Sequence, residues 1–338
     1  MPYLMTVRGP VSPMEVGITA CHEHLIADST SDRSDPDTRL DEPETVLEDL
    51  RSFKQAGGDA IVEVTTIDMG RNVERLKELS EASGVRIIAS TGFYKGNYSP
   101  GGKAGVRSWD FLPQRLRKAS VPELSQVFIR EVREGVAGTG IWPGVIGEIG
   151  TSYNEILEEE ERVFRAAARA NHETGVPIST HATLGTMGRQ QIQILKEEGA
   201  DLSHVVLSHM DLISDTGYHL ELARQGAYLG FDTAGKERYQ ADATRVELIR
   251  RLVQEGFEDQ IVISCDIGRR SQMTRHGGRG YGFLLDRYVP RLKAAGIGDV
   301  AIRKFLIDNP RRLFAFSAPR PGEDRGGEEK PLRPGATQ

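Results

Sequence analysis

The chain has 338 residues, of which 38% are apolar and 27% charged, and carries a formal net charge of -6. That length can bury a large core in one or two domains, while the acidic balance and the lack of a basic, aromatic-rich patch argue against a nucleic-acid partner. No apolar stretch approaches the ~20 residues of a membrane span, Met1 to Met14 has no signal-peptide core, and two cysteines make neither a disulfide framework nor a zinc knuckle; together these point to a cytoplasmic protein.

Leu4 to Val16, with Gly9-Pro10 and Ser12-Pro13, reads as a short N-terminal β-hairpin leading into a first strand, Gly17 to Cys21. Ala27 to Asp41 is polar and reads as a long exposed loop; Pro43 to Gln55 has helical spacing, with Val46, Leu47, Leu50 and Phe53 on one side. A rhythm follows. Apolar runs at 60–64, 85–90, 143–149, 177–180, 205–208, 227–231 and 260–264 alternate with helical patterns at 73–83, 124–136, 155–174, 187–198, 212–225 and 243–255. Phe93 to Trp109 breaks it as a long loop. Tyr281 to Ala295 and Val300 to Phe305 read as closing helices, followed by a short apolar tail, Leu313 to Phe316. Residues 318–338, rich in Pro, Gly and charge, are expected to be a disordered tail, which leaves 1–317 as one domain.

Continuous apolar runs suit parallel strands covered on both faces, and eight of them alternating with helices predict an α/β fold, a single (β/α)8 TIM barrel. The doubly wound sheet is the alternative, but no glycine-rich phosphate loop follows the first strand. In such a barrel, chemistry sits at the C-terminal ends of the strands. Those ends carry His22 and His24 after the first strand, Glu148 at the fourth, His181 after the fifth, His209 after the sixth and Asp266 after the eighth. Alone, the His22-x-His24 pair is a weak motif. Four of the eight histidines converging on one rim with two carboxylates favour a metal site over scattered structural histidines. Cys21 and Cys265 each precede a candidate ligand and read as small buried hydrophobes facing away from it.

These residues resemble the amidohydrolase superfamily and, within it, the phosphotriesterase-like family, from Gly17 to Phe316. Thr19 to Leu25, Gly147 to Ser152, Ser179-Thr180-His181, Ser208 to Asp211 and Ser264-Cys265-Asp266 carry the resemblance, which is closest to the branch called phosphotriesterase homology proteins. The resemblance implies a binuclear centre: His22, His24 and Asp266 on an inner ion, His181 and His209 on an outer one, and a bridging carboxylate. In phosphotriesterases proper the bridge is a carbamylated lysine; here Glu148 takes its place, as in the homology branch. Two divalent cations acidify a shared water and polarise an acyl or phosphoryl oxygen, so a hydroxide bridging them becomes the nucleophile, with Asp266 as its proton acceptor. Zinc suits four imidazoles and two carboxylates; manganese, cobalt and iron remain open by ligand type.

The loops above the rim bring Tyr94, Lys95 and Tyr98 after the third strand, Lys236, Arg238 and Tyr239 after the seventh, and Arg269, Arg270 and Arg275 after the eighth. This local surplus of cations points to a small anionic substrate, with Tyr94, Tyr98, Lys236, Arg238 and Arg269 as candidate binding residues. Some members of the family it resembles hydrolyse lactones, including phosphorylated sugar lactones, through cationic residues that Arg238 and Arg269 match; a tyrosine expected nearby is replaced by residues such as Gln272. The leading expectation is a metal-dependent hydrolase of a small ester or lactone. An amidase or a phosphotriester hydrolase on the same centre is the runner-up, and a non-catalytic metal-binding barrel ranks low because all six ligand positions are filled. The reading includes no membrane partner and leaves room for a homodimer.

Overall fold

The computed structural model describes residues 1–29, 35–96 and 117–317. Among these, parallel strands run in sequence order around a barrel: β1 (Ile18–Glu23), β2 (Gly58–Glu63), β3 (Arg86–Ile88, resuming after Ala89 as Ser90–Thr91), β4 (Val145–Thr151), β5 (Ile178–Ala182), β6 (Val205–Ser208), β7 (Tyr228–Phe231) and β8 (Ile261–Ile263). The first half of β3 pairs with β2 and its second half with β4. The ring closes from β8 back to β1, where the Asp266 N–H donates to His22 C=O at 3.2 Å and the His22 N–H donates to Ser264 Oγ at 3.1 Å. The fold is the (β/α)8 barrel that the strand count predicts.

Helices follow the first seven strands: α1 (Pro43–Gln55), α2 (Val73–Ser83), α3 (Val121–Glu134), α4 (Glu158–Thr174), α5 (Gly188–Glu197), α6 (Thr216–Arg224) and α7 (Asp242–Gln254). Local chemistry sets their ends. Pro43 opens α1 at a position that needs no N–H. In α2 the Asn72 side chain accepts the Arg75 N–H at 3.0 Å, and Gly84, with φ 74°, closes the helix in the left-handed region. Each helix buries an apolar stripe against the sheet; on α1 it is Val46, Leu50 and Phe53, and the Phe53 ring lies so close to Gly58 that a Cβ there would meet it at 2.3 Å. Burying each such side chain contributes about 1.5–3 kcal/mol.

The apolar core falls into two layers. The larger joins helices to the outer strand face, through residues such as Ile61, Ile87, Leu207 and Ile263. A smaller one contains Ala60, Val62, Val145, Val206 and Val262 with Leu4, Leu313 and Phe314 but no residue of α1 to α7, so it fills the barrel interior and is plugged from below. The plug includes the N-terminal hairpin, Leu4–Thr6 against Gly9–Val11, tied to the chain's other end by Tyr3 and Phe316, which exchange two backbone hydrogen bonds at 3.0 Å.

Three expectations need correction. The stretch 27–41 is not simply loop: Ala27–Asp28 pairs antiparallel with Arg39–Leu40, which brings Asp35 and Asp37 up to the rim. The apolar tail is helical over Asn309–Phe314, because Leu313 and Phe314 have the barrel floor to bury against. Strict alternation also fails at the end of β1, where the register against β2 shifts between Ala20 and Glu23; Cys21, a buried free thiol like Cys265, joins the interior cluster below His22. The expected tail at 318–338, and Tyr98, lie outside the described residues.

Candidate metal centre

All six side chains that the sequence places at strand ends meet at the mouth of the barrel. One ligand atom each from His22, His24 and Glu148 lies within 4.8 Å of the others, and the same holds for Glu148, His181 and His209. Glu148 is the shared member, standing between the two groups on β4. Its approach depends on Gly147, whose φ is 118° and whose backbone runs so near β5 that a Cβ would meet Ser179 O at 1.8 Å. Asp266 closes the ring, with Oδ1 3.5 Å from His24 Nε2 and 3.8 Å from His22 Nε2. His209 and Asp266 both adopt positive φ, 64° and 50°, a conformation that non-glycine residues rarely hold unless their surroundings fix it.

The imidazoles are oriented from behind. His22 Nδ1 contacts Ser208 Oγ at 3.0 Å, His24 Nδ1 contacts Thr65 Oγ1 at 2.9 Å, and His209 Nδ1 donates to Asp232 Oδ1 at 2.8 Å. Their Nε2 atoms consequently converge on Glu148, at 3.4, 3.2 and 3.5 Å. His181 reaches the same carboxylate through Nδ1, at 2.8 Å. His22 Nε2 is buried and has no hydrogen-bond partner among the described residues, an unusual state for a buried nitrogen. Glu23, between the two histidines, turns to β8 and accepts Ser264 Oγ, Cys265 N–H and Ile267 N–H at 2.7–2.8 Å, which fixes the segment that carries Asp266.

The electrostatics describe a site with an excess of buried negative charge. Burial opposes ionisation of Glu148, Asp232 and Asp266, yet His181 beside the first, His209 beside the second and Lys236 beside the third hold all three below the usual carboxylate range. Burial likewise opposes charge on His24, but the Asp266 and Glu148 carboxylates push its pKa up to about 10; Asp232 raises His209 in the same way. His181 is driven the other way, to about 3, by burial against the weaker pull of Glu148. Carboxylates facing imidazole nitrogens in two groups that share Glu148 form a donor set that divalent cations can occupy. The donor set therefore fits two cations.

Above this cluster lies a cavity of about 880 Å³, lined among others by Tyr94, Lys95, Lys236, Arg238, Arg269 and Gln272. Four of the candidate substrate residues thus reach one space. Tyr94 places its hydroxyl 3.2 Å from His181 Nε2, and Lys236 forms an ion pair with Asp266 Oδ2. Arg269 lines the cavity but is ion-paired to Asp35 at 2.6 Å and Asp37 at 3.3 Å. Arg270 and Arg275, counted with the loop cations, pair with Asp41 and Glu48, at 2.7 and 2.9 Å, and do not line the cavity. The cationic surplus is smaller than the loop composition suggests, because the acids of the 35–48 segment fold against it.

Sequence reasoning missed the supporting residues Thr65, Ser208, Asp232 and Glu23, and the fully buried Arg245. Asp232 had a signal: it stands directly after the apolar run of β7, at the same rim height as the ligands. Arg245 had none, because it lies three residues into α7; its guanidinium reaches back to Asp211, Thr233 and Asp242 at 2.8–3.0 Å, beneath the loop that carries Lys236.

The family model described as the Phosphotriesterase family matches residues 2–314. A phosphotriesterase homology protein from Escherichia coli (strain K12) is 35% identical over 298 residues, covering 88% of this chain and 98% of its own. An N-acetyltaurine hydrolase from Xenopus tropicalis is 33% identical over 361 residues, covering 93% and 98%. Among solved structures, a lactonase from Listeria monocytogenes superposes with a TM-score of 0.86 at 33% identity, covering 93% and 99%.

Proposed function

The chain belongs to the phosphotriesterase family, a family of hydrolytic enzymes that depend on a binuclear metal centre, and on that premise we propose that it hydrolyses a small anionic carboxyl ester or lactone. The observation that carries this reading is the convergence of three Nε2 atoms and one Nδ1 on the Glu148 carboxylate, at 2.8–3.5 Å, with Asp266 beside them. His22, His24 and Asp266 would hold one cation, His181 and His209 the other, and Glu148 would bridge. When bound, such a pair acidifies water and polarises an acyl oxygen; zinc is the best match to the donors.

The remaining work falls to the chain itself. Asp266 accepts the proton of the attacking water and passes it to the leaving oxygen, and Lys236 holds the carboxylate in place through Oδ2. Tyr94 stands beside His181, where its hydroxyl can steady the acyl oxygen of a bound substrate. Arg238 supplies positive charge at the cavity wall for the substrate's anionic group.

A second reading is amide hydrolysis on the same centre, favoured by the relatives called N-acetyltaurine hydrolase, one of which is aligned over 98% of its length. A panel of lactones, carboxyl esters, N-acyl amines and phosphotriesters, run on protein loaded in turn with zinc, manganese, cobalt and iron, separates the two. Turnover of lactones or esters that chelation removes supports the first reading; turnover confined to N-acyl substrates moves the assignment to the second; none with any metal overturns both. Asp266→Asn should lower turnover at least ~100-fold while the protein stays folded, and near-normal rates would remove Asp266 from its role.

A further inference from the structure

Glu63 is a buried carboxylate at the barrel mouth that belongs to neither group of metal donors. It ends β2 and is 0% exposed. Three hydrogen bonds reach it: the Leu25 N–H donates at 3.2 Å, the Thr65 N–H at 3.3 Å, and the Thr65 hydroxyl donates to the same oxygen as Leu25. All three run toward the carboxylate, which is acceptor-only when ionised. Among the described residues no lysine or arginine pairs with it, and burial pushes its carboxyl up to about 7 against the opposing pull of His24 and of these hydrogen bonds. A buried carboxyl without a cationic partner is costly to keep, and the group it supports stands in the metal centre.

Thr65 Oγ1 lies 2.9 Å from His24 Nδ1. A hydroxyl has one hydrogen, and that of Thr65 is directed at Glu63, so what its oxygen offers His24 is a lone pair. Nδ1 is therefore the donor. Nε2, which faces Glu148 Oε1 at 3.2 Å and Asp266 Oδ1 at 3.5 Å, is the nitrogen left for a cation. Were the hydroxyl reversed, Nδ1 would accept and the ring proton would sit on Nε2, in the position a cation needs. The same carboxylate also holds the backbone beside His24 through the Leu25 N–H, and the buried Tyr281 hydroxyl donates to His24 C=O at 2.8 Å. Other ligands are supported differently: His209 rests directly on the Asp232 carboxylate, and His22 on Ser208 Oγ.

We propose that Glu63 is a positioning residue for the cation that His24 would hold: through the Thr65 hydroxyl it fixes the ring with Nδ1 as donor and Nε2 toward the ion, and through Leu25 it fixes the strand end that carries the ring. The relay also makes the imidazole a better ligand, because the Nδ1 proton is drawn toward an anion and electron density at Nε2 rises. The hydroxyl spacer has its own value. It lets a carboxylate act on the ring from outside both donor groups, where it does not compete for the ion. The proposal rests on the binuclear reading of the centre and extends that centre beyond its six ligands.

The test uses the full chain and two near-isosteric variants, Glu63→Gln and Thr65→Val. Zinc affinity, read by competition with a chelator, should fall about tenfold in each, and Thr65→Ser, which restores the hydroxyl, should keep most of the wild-type affinity. Unchanged affinity in both variants, or an equal loss in Thr65→Ser, would overturn the relay. Proton NMR separates the relay from a general loosening of the site. The His24 Nδ1–H resonance, assigned by its absence in His24→Gln, should lie downfield in the wild type and move upfield in Glu63→Gln and further in Thr65→Val, while the His209 Nδ1–H stays in place. A His24 resonance that does not move, or one that moves together with that of His209, would overturn the proposal. If the wild type takes up no cation, the metal reading of the centre has failed, and the same resonance in the metal-free protein still decides the relay.

Discussion

Two regions at the barrel mouth are rich in ionisable side chains and use them in opposite ways. At the strand ends, Glu148, Asp232 and Asp266 are gathered against four imidazoles at 1–17% side-chain exposure, an arrangement whose donor atoms suit a cation. In the loops above, acid and base are matched across a seam: Asp35, Asp41 and Glu48 meet Arg269, Arg270 and Arg275 at 2.6–2.9 Å, and Glu42 meets His276 at 2.7 Å. The first region gathers carboxylates and imidazoles around one point; the second matches acid with base and holds a loop in place. Arg238 and Arg279 have no carboxylate partner among the described residues and lie over the Tyr239 and Phe283 rings instead.

Removing Arg245 probes the boundary between the regions. Its side chain is 0% exposed and pairs with Asp211 and Asp242, so Arg245→Met leaves the buried Asp211 carboxylate without its counterion, while Asp242 keeps Arg291, and should cost about 3–5 kcal/mol in denaturant unfolding. A change below about 1 kcal/mol would mean that the seam, and not this guanidinium, holds the β7 loop. Asp232→Asn tests the strand ends by freeing the His209 ring: cation affinity should fall about 10–100-fold, read by competition with a chelator, and unchanged affinity would deny Asp232 its orienting role. Asp37→Asn tests the seam and should be the mildest. Ser271 and Arg269 outweigh burial and lower the Asp37 pKa in the folded protein, so the stabilisation is present above the unfolded carboxylate value, about 3.9, and is lost as pH falls through the lower folded value. The carboxylate is partly exposed, so the cost near neutral pH should be no more than ~1 kcal/mol and should shrink with salt; wild type and variant should then converge in acid.

The sequence reading succeeded where the backbone is regular. Apolar runs such as 205–208 and 260–264 can be recognised locally, and a barrel converts the residues just beyond each of them into rim positions, which is how His209 and Asp266 could be placed without coordinates. It failed where pairing is between segments far apart in the chain. Nothing local says that Asp35 meets Arg269 across 234 residues, so the loop cations were overcounted as free. Supporting groups escaped for a related reason: Thr65 and Ser208 are ordinary strand-end residues until His24 and His22 are seen to rest on them.

Metal stoichiometry tests the central assignment most directly. Elemental analysis of gently purified or zinc-reconstituted protein should give close to two ions per chain, falling below about one in Glu148→Gln, since that carboxylate is common to both groups of donors. Fewer than one ion in the wild type, or two retained without the Glu148 carboxylate, would contradict the binuclear centre.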